Sequence, residues 1–178
     1  MLKKYLMQEI PYLRVLGRNN GCLKPVTLFW TASGIEMNVK AKEVWVKVRS
    51  EYEILEPWVD VVVDGALSQR LMVNKGEQKI CLFRNMEGDK VRNVKLLRDT
   101  PAFPTDEKTL LQVLEIETDG EFFPLEEPKL RMEVIGDSIT SGEGGSGSCE
   151  EQSWNSFCFN AVDNYAYMVA EELGAVYN

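Results

Sequence analysis

The chain has 178 residues, enough for one domain or for one complete domain with part of a second. With 44% hydrophobic and 27% charged residues it is too apolar to be disordered. Its net charge of −8 argues against nucleic acid and anionic membranes as partners, while a neutral substrate such as a sugar ester suffers no repulsion.

At the N-terminus, Lys3 and Lys4 are followed by no apolar run, because Gln8, Glu9 and Pro11 interrupt it. No stretch is apolar and long enough to span a bilayer, so a cytoplasmic location is expected. From Thr27 to Thr118 the pattern is short β-type runs broken by turns. Met37–Val39, Val44–Val48, Val59–Val63, Leu71–Val73, Lys79–Phe83, Val94–Leu97 and Val113–Ile116 are the predicted strands. Ala32-Ser33-Gly34, Asp64-Gly65, Asn74-Lys75-Gly76, Glu87-Gly88-Asp89 and Asp119-Gly120 are the turns, with Asp-Gly the strongest hairpin signal. Strands at this spacing predict an antiparallel sandwich or jelly roll over residues 1–123.

Residues 124–130 read as a linker, since Pro124 and Pro128 remove backbone donors. Residues 131–178 have a different texture. A short apolar strand, Leu130–Ile135, ends in Gly136-Asp137-Ser138, and a glycine-serine loop follows from Ser141 to Ser148. An amphipathic helix is predicted at about Ala161 to Leu173, with Val162, Tyr165, Met168 or Val169, and Leu173 on one face. Asn160 or Asp163 would cap its start and Gly174 its end. Strand, loop and helix form the first unit of an α/β domain. A lone unit cannot bury both faces of its strand, so an incomplete hydrolase domain is expected.

A nucleophilic serine must leave the packed sheet, meet an incoming carbonyl and have backbone N–H groups beside it for the developing oxyanion. The C-terminal end of a strand meets all three needs. Ser138 stands there, with Gly136 for the turn, Asp137 to bond the loop amides, and Gly142 beyond. The run Gly136-Asp137-Ser138-Ile139-Thr140 with Gly142 resembles the first signature block of the GDSL/SGNH hydrolases. The preceding sandwich, its Ala32-Ser33-Gly34 turn, the strand at Val94–Arg98 and the proline-bearing linker resemble carbohydrate esterase family 2. The resemblance covers roughly Gly17 to Asn178.

The resemblance implies a flavodoxin-like SGNH hydrolase domain behind the sandwich. It also implies an esterase of the acetyl xylan esterase kind, removing O-acetyl groups from polysaccharide or oligosaccharide without a cofactor. By it Ser138 is the nucleophile and its own N–H an oxyanion donor, with Gly136, Asp137 and Gly142 shaping the loop. The family's other parts, a Gly and an Asn as oxyanion donors and a late His as base, have no counterpart here. With no histidine, and with Asp137 a poor substitute, this polypeptide is expected to be nearly inactive alone.

Other features have plainer readings. Gly142–Gly147 fits GxGxxG, but no strand ends at its first glycine, no helix begins at its last, and Glu143 would repel phosphate. Trp154, Phe157 and Phe159 either meet a sugar face, Trp154 above all, or pack at the helix entrance. Trp30, Trp45 and Trp58 are expected in the sandwich core, and Asp60 and Asp64 at solvated strand positions. Cys22, Cys81, Cys149 and Cys158 include no CxxC pair, and without histidine no metal is expected. They read as free thiols, with a Cys149–Cys158 disulfide as the alternative. The partner expected is acetylated carbohydrate, and the oligomeric state is not specified. The rival function is a non-catalytic sandwich that binds glycan or acts as a spacer.

Overall fold

A computed structural model describes residues 1–151 and 153–177. In chain order its strands begin with β1 (Lys3–Leu6), β2 (Arg14–Leu16), β3 (Val26–Thr27), β4 (Gly34–Lys40), β5 (Val44–Glu51) and β6 (Trp58–Val63). They continue with β7 (Ala66–Met72), β8 (Gly76–Phe83), β9 (Arg92–Arg98), β10 (Leu110–Thr118), β11 (Glu121–Phe123) and β12 (Leu130–Met132). Helix α1 (Tyr165–Leu173) and strand β13 (Ala175–Tyr177) close the chain. One antiparallel sheet runs β1-β10-β5-β8, with β3 also on β10; the other runs β11-β4-β9-β6-β7, with β2 also on β4. The two form a β-sandwich, and β12 and β13 pair in parallel outside it.

The alternation of β5 explains the sandwich. Val44, Val46 and Val48 point into the core while Trp45, Lys47 and Arg49 point away. Ile35, Met37, Val39, Val59, Val61, Val94 and Leu96 meet them from the other sheet. The β6–β7 hairpin closes at Asp64-Gly65, both with positive φ, as a two-residue turn of this hand requires. That turn dictates the register, so β7 starts at Ala66 rather than at the predicted Leu71, and Val73 falls outside it. The short strands β1, β2, β3 and β11 lie outside the predicted set.

The middle of the six-stranded sheet, at β6 and β9, is buried on both faces. Leu16, Ala32, Val62 and Leu97 on its outer side form a second cluster with Ala161, Val162, Tyr167 and Val176. This explains why β6 reads as a nearly continuous apolar run. Residues 124–129 are neither helix nor strand, yet they are tied down. The Asn38 amide donates to Pro124 O at 2.9 Å, Arg14 donates to Glu126 O, and Lys129 N donates to Gly174 O at 3.2 Å.

Two predicted elements change. The strand expected over Leu130–Ile135 stops at Met132, which pairs with Tyr177 of β13. Ile135 is 90% exposed. The helix begins at Tyr165, not Ala161, and its cap is Asn164, whose side chain accepts from Ala166 N; Gly174 caps the other end as expected. Asn160 and Asp163 are instead bonded to each other, and Ala161 N is taken by Asp99. Ala166, Tyr167 and Ala170 are the buried face of α1, while Tyr165, Met168, Val169 and Leu173 are exposed. Ala166 and Ala170 let the helix lie close, and Tyr167 joins the outer cluster of the sheet.

Candidate active site

Beyond β12 the chain runs through Glu133–Asp137 into a turn that carries Ser138. Ser141 N donates to Asp137 O at 3.1 Å, Gly142 N to Ile139 O at 3.0 Å and Glu143 N to Ser138 O at 2.9 Å, which winds the loop tightly. The Asp137 carboxylate accepts from Ile139 N at 3.1 Å. A Cβ on Gly136 would lie 2.0 Å from the Thr140 hydroxyl, so close approach demands glycine there. Gly142 combines φ of +88° with Asn160 O only 2.1 Å from where its Cβ would be. Ser138 is half-buried. Its N–H makes no hydrogen bond to another described residue.

Ser138 lines a cavity of about 600 Å³ between the loop and the sandwich. Trp30 and the Pro101–Pro104 stretch form the sandwich wall, and Trp154 and Phe159 close another side. Trp30 is 56% exposed in a loop, not in a core strand as expected, while Trp45 and Trp58 are half-buried. Trp154 is partly exposed and packs edge-on against Phe103 at 5.1 Å and Phe159 at 5.9 Å. Phe159 is buried, and Trp154 lines the cavity. Arg18 pairs with Glu133 at the rim.

Two loops of the sandwich wall are fixed by Arg98, which is fully buried. Its guanidinium donates to the carbonyls of Leu28, Thr100 and Pro101, each at 2.9 Å. Burial lowers its pKa to about 10. Gly142–Gly147 opens no helix. Asn160 N donates to Gly142 O at 3.0 Å and Ser146 N to Cys158 O at 3.2 Å, which makes it a pinned loop. All four cysteines are free thiols.

Asp60 departs most from expectation. It lies on the outer face of the six-stranded sheet, fully buried rather than solvated. Burial pushes its carboxyl up to about 9, and the neighbouring Asp99 adds to the shift. Burial also raises Asp99, which accepts from Arg70 Nε and from Ala161 N, both at 2.6 Å. Asp64 sits in the hairpin turn, where Arg92 and Lys90 pair with it at 2.8 and 3.4 Å.

No protein-family model and no curated protein sequence matches the chain. Solved structures do. An acetyl xylan esterase from Butyrivibrio proteoclasticus is 34% identical, with a TM-score of 0.96 over 99% of this chain and 48% of its own. A family two carbohydrate esterase from Clostridium thermocellum, solved in complex with cellohexaose, is 25% identical, with a TM-score of 0.81 over 93% and 50%. The chain belongs to carbohydrate esterase family 2. A third family two structure, from Cellvibrio japonicus, shares the fold at 19% identity, with a TM-score of 0.80 over 99% and 52%. The chain spans about half the length of these family members.

The Ser138 loop was legible as a motif, whereas Trp30 was expected in the core and Arg70, Asp99 and Arg98 were not singled out as site residues. Arg98 had a signal: an arginine ends the apolar run Val94–Leu97, where a core strand meets a loop that carries Pro101 and Pro104. Asp60 had one too, as a lone acid inside an otherwise apolar strand.

Proposed function

We propose that this chain carries the nucleophile of a serine esterase that removes O-acetyl groups from carbohydrate. The observation that carries the reading is Ser138 in the wall of a roomy cavity, half-buried, with its own N–H unbonded among the described residues. Ser138 Oγ attacks the acetyl carbonyl carbon, and the carbonyl oxygen takes negative charge beside that N–H. As the new C–O bond forms, the bond to the sugar oxygen breaks and that oxygen leaves with the serine proton. Water then cleaves acetyl-Ser138 to acetate and regenerates the hydroxyl. Trp30 and Trp154 offer faces for the sugar. Trp30 belongs to this same cavity, so an exposed tryptophan on the sandwich fits the esterase reading as well as a binding module.

The proton needs a base, and the 178 residues include no histidine. Asp137 is engaged with Ile139 N. The purified chain is therefore expected to hydrolyse 4-nitrophenyl acetate slowly, with a rate that rises when imidazole is added as a base in trans. Ser138→Ala should remove that imidazole-dependent excess over buffer, and an acetyl adduct should be found on Ser138 by mass spectrometry. Equal rates for the two proteins would end the esterase reading. Unaided turnover like that of an enzyme with its own base would show that another group takes the proton.

A further inference from the structure

Two sets of hydrogen bonds in series join the Ser138 loop to the sandwich. In the first, Asn160 N donates to Gly142 O at 3.0 Å, and the Asn164 amide donates to Ile139 O and Thr140 O, both at 2.9 Å. In the second, Arg70 Nη2 on β7 donates to Phe157 O at 3.1 Å and Phe159 O at 2.6 Å. Asp99, just past β9, accepts from Ala161 N and from Arg70 Nε. The guanidinium also lies 4.4 Å from the Trp58 ring.

We propose that Arg70 and Asp99 are positioning residues of the esterase site: they fix the 157–161 segment against the sandwich and, through Asn160 and Asn164, fix the Ser138 loop. This rests on the reading of Ser138 as nucleophile. The segment needs such partners. Apart from one 3-10 turn at Ser156–Cys158, residues 153–161 form no helix or strand to satisfy their backbone groups. An apolar pair in place of Arg70 and Asp99 would pack as well, but would leave three backbone groups unpaired.

Asp60 adds a condition. Its carboxyl is buried beside that of Asp99, to which a protonated Asp60 can donate, and it also faces Arg70 and the charge of Asp163 ahead of α1. Tyr167 of the helix also feels it. While Asp60 keeps its proton, Asp99 alone faces the guanidinium. Once Asp60 ionises, two buried carboxylates compete for one cation and the grip on residues 157–161 loosens. The clamp is thus tight at neutral pH and weakens as pH rises through about 9.

Amide hydrogen exchange on the full 178-residue chain, read by mass spectrometry, tests this. Asp99→Asn and Arg70→Lys should each speed exchange about tenfold or more in peptides spanning 138–147 and 157–164, while β5 and β10 peptides stay within about twofold. After correction for intrinsic rates, the unsubstituted chain should lose protection in the same two regions near pH 9, and Asp60→Asn should keep it. Unchanged exchange in both variants, a uniform rise across all peptides, or an alkaline step that survives Asp60→Asn would each overturn the proposal. Should Asp99→Asn fail to fold, Arg70→Lys and Asp60→Asn decide the matter. If Ser138→Ala leaves ester hydrolysis unchanged while the exchange pattern appears as expected, the esterase reading fails and the clamp itself stands.

Discussion

On its inner face the six-stranded sheet presents Ile35, Met37, Val39, Val59, Val61, Val94 and Leu96 to the sandwich core. On its outer face Val62 and Leu97 share their space with Asp60, Asp99 and Arg70, and the covering layer is loop, one short helix and one short strand. The inner face owes its stability to apolar area and shape, which are indifferent to protonation. The outer face holds a buried acid with a raised pKa beside an ion pair, so its stability is linked to pH. It is also the face to which the Ser138 loop is anchored. One sheet thus offers a pH-independent surface for folding and a pH-dependent one for the site.

The largest expected effect tests the inner half of that contrast. Leu96→Ala empties a fully buried position in a close-packed core and should cost about 3 kcal/mol in urea unfolding. The loss should be the same at pH 6 and pH 9. A pH-dependent loss would erase the distinction between the faces. Asp60→Asn tests the outer half and should act in the opposite sense. An acid whose folded pKa is about 9 but whose unfolded pKa is ordinary binds its proton more tightly when folded. Its contribution is full below about pH 4, declines as pH rises, and is exhausted by about 9. The amide stays neutral throughout, so the variant should gain stability over the unsubstituted chain progressively between pH 4 and pH 9, and nothing at pH 4. Thermal unfolding across that range checks it; a gain at pH 4, or none at pH 9, would count against the assignment of the proton to Asp60.

The same contrast decides what was legible in the sequence. Inner-face strands announce themselves because a core that excludes water on one side imposes period-two alternation, as in β5. The outer face imposes no period, since side chains there answer to a loop rather than to a second sheet. Asp60 therefore read as a solvated strand residue, although the structure buries it completely. The first half of β7, Ala66-Leu67-Ser68-Gln69-Arg70, has no β pattern and exists because the Asp64-Gly65 turn carries it back along β6. Arg70 was hidden with it. The Ser138 loop was legible because its geometry demands particular neighbours in sequence, and Gly136 and Gly142 are both required by close approach. Trp30 was not, because its place in the cavity depends on Arg98 holding the loop that contains Leu28.

The smallest of these effects concerns the link beyond the outer face. Asn164 is buried, and one side chain does two jobs: its oxygen caps α1 through Ala166 N at 2.9 Å, and its amide nitrogen holds the carbonyls of Ile139 and Thr140. Asn164→Ala removes both and should cost about 1 kcal/mol for the cap, lowering Tm by a few degrees. Asn164→Asp keeps the capping oxygen but turns the donor into a second acceptor facing two carbonyls. It should recover the helix signal in circular dichroism while leaving amide exchange in 138–147 as fast as in the alanine variant. The loop would then be shown to depend on the asparagine nitrogen rather than on the helix it starts. If aspartate restores loop protection as well, the cap alone sets the loop, and the chain of contacts from sandwich to Ser138 loses its last step.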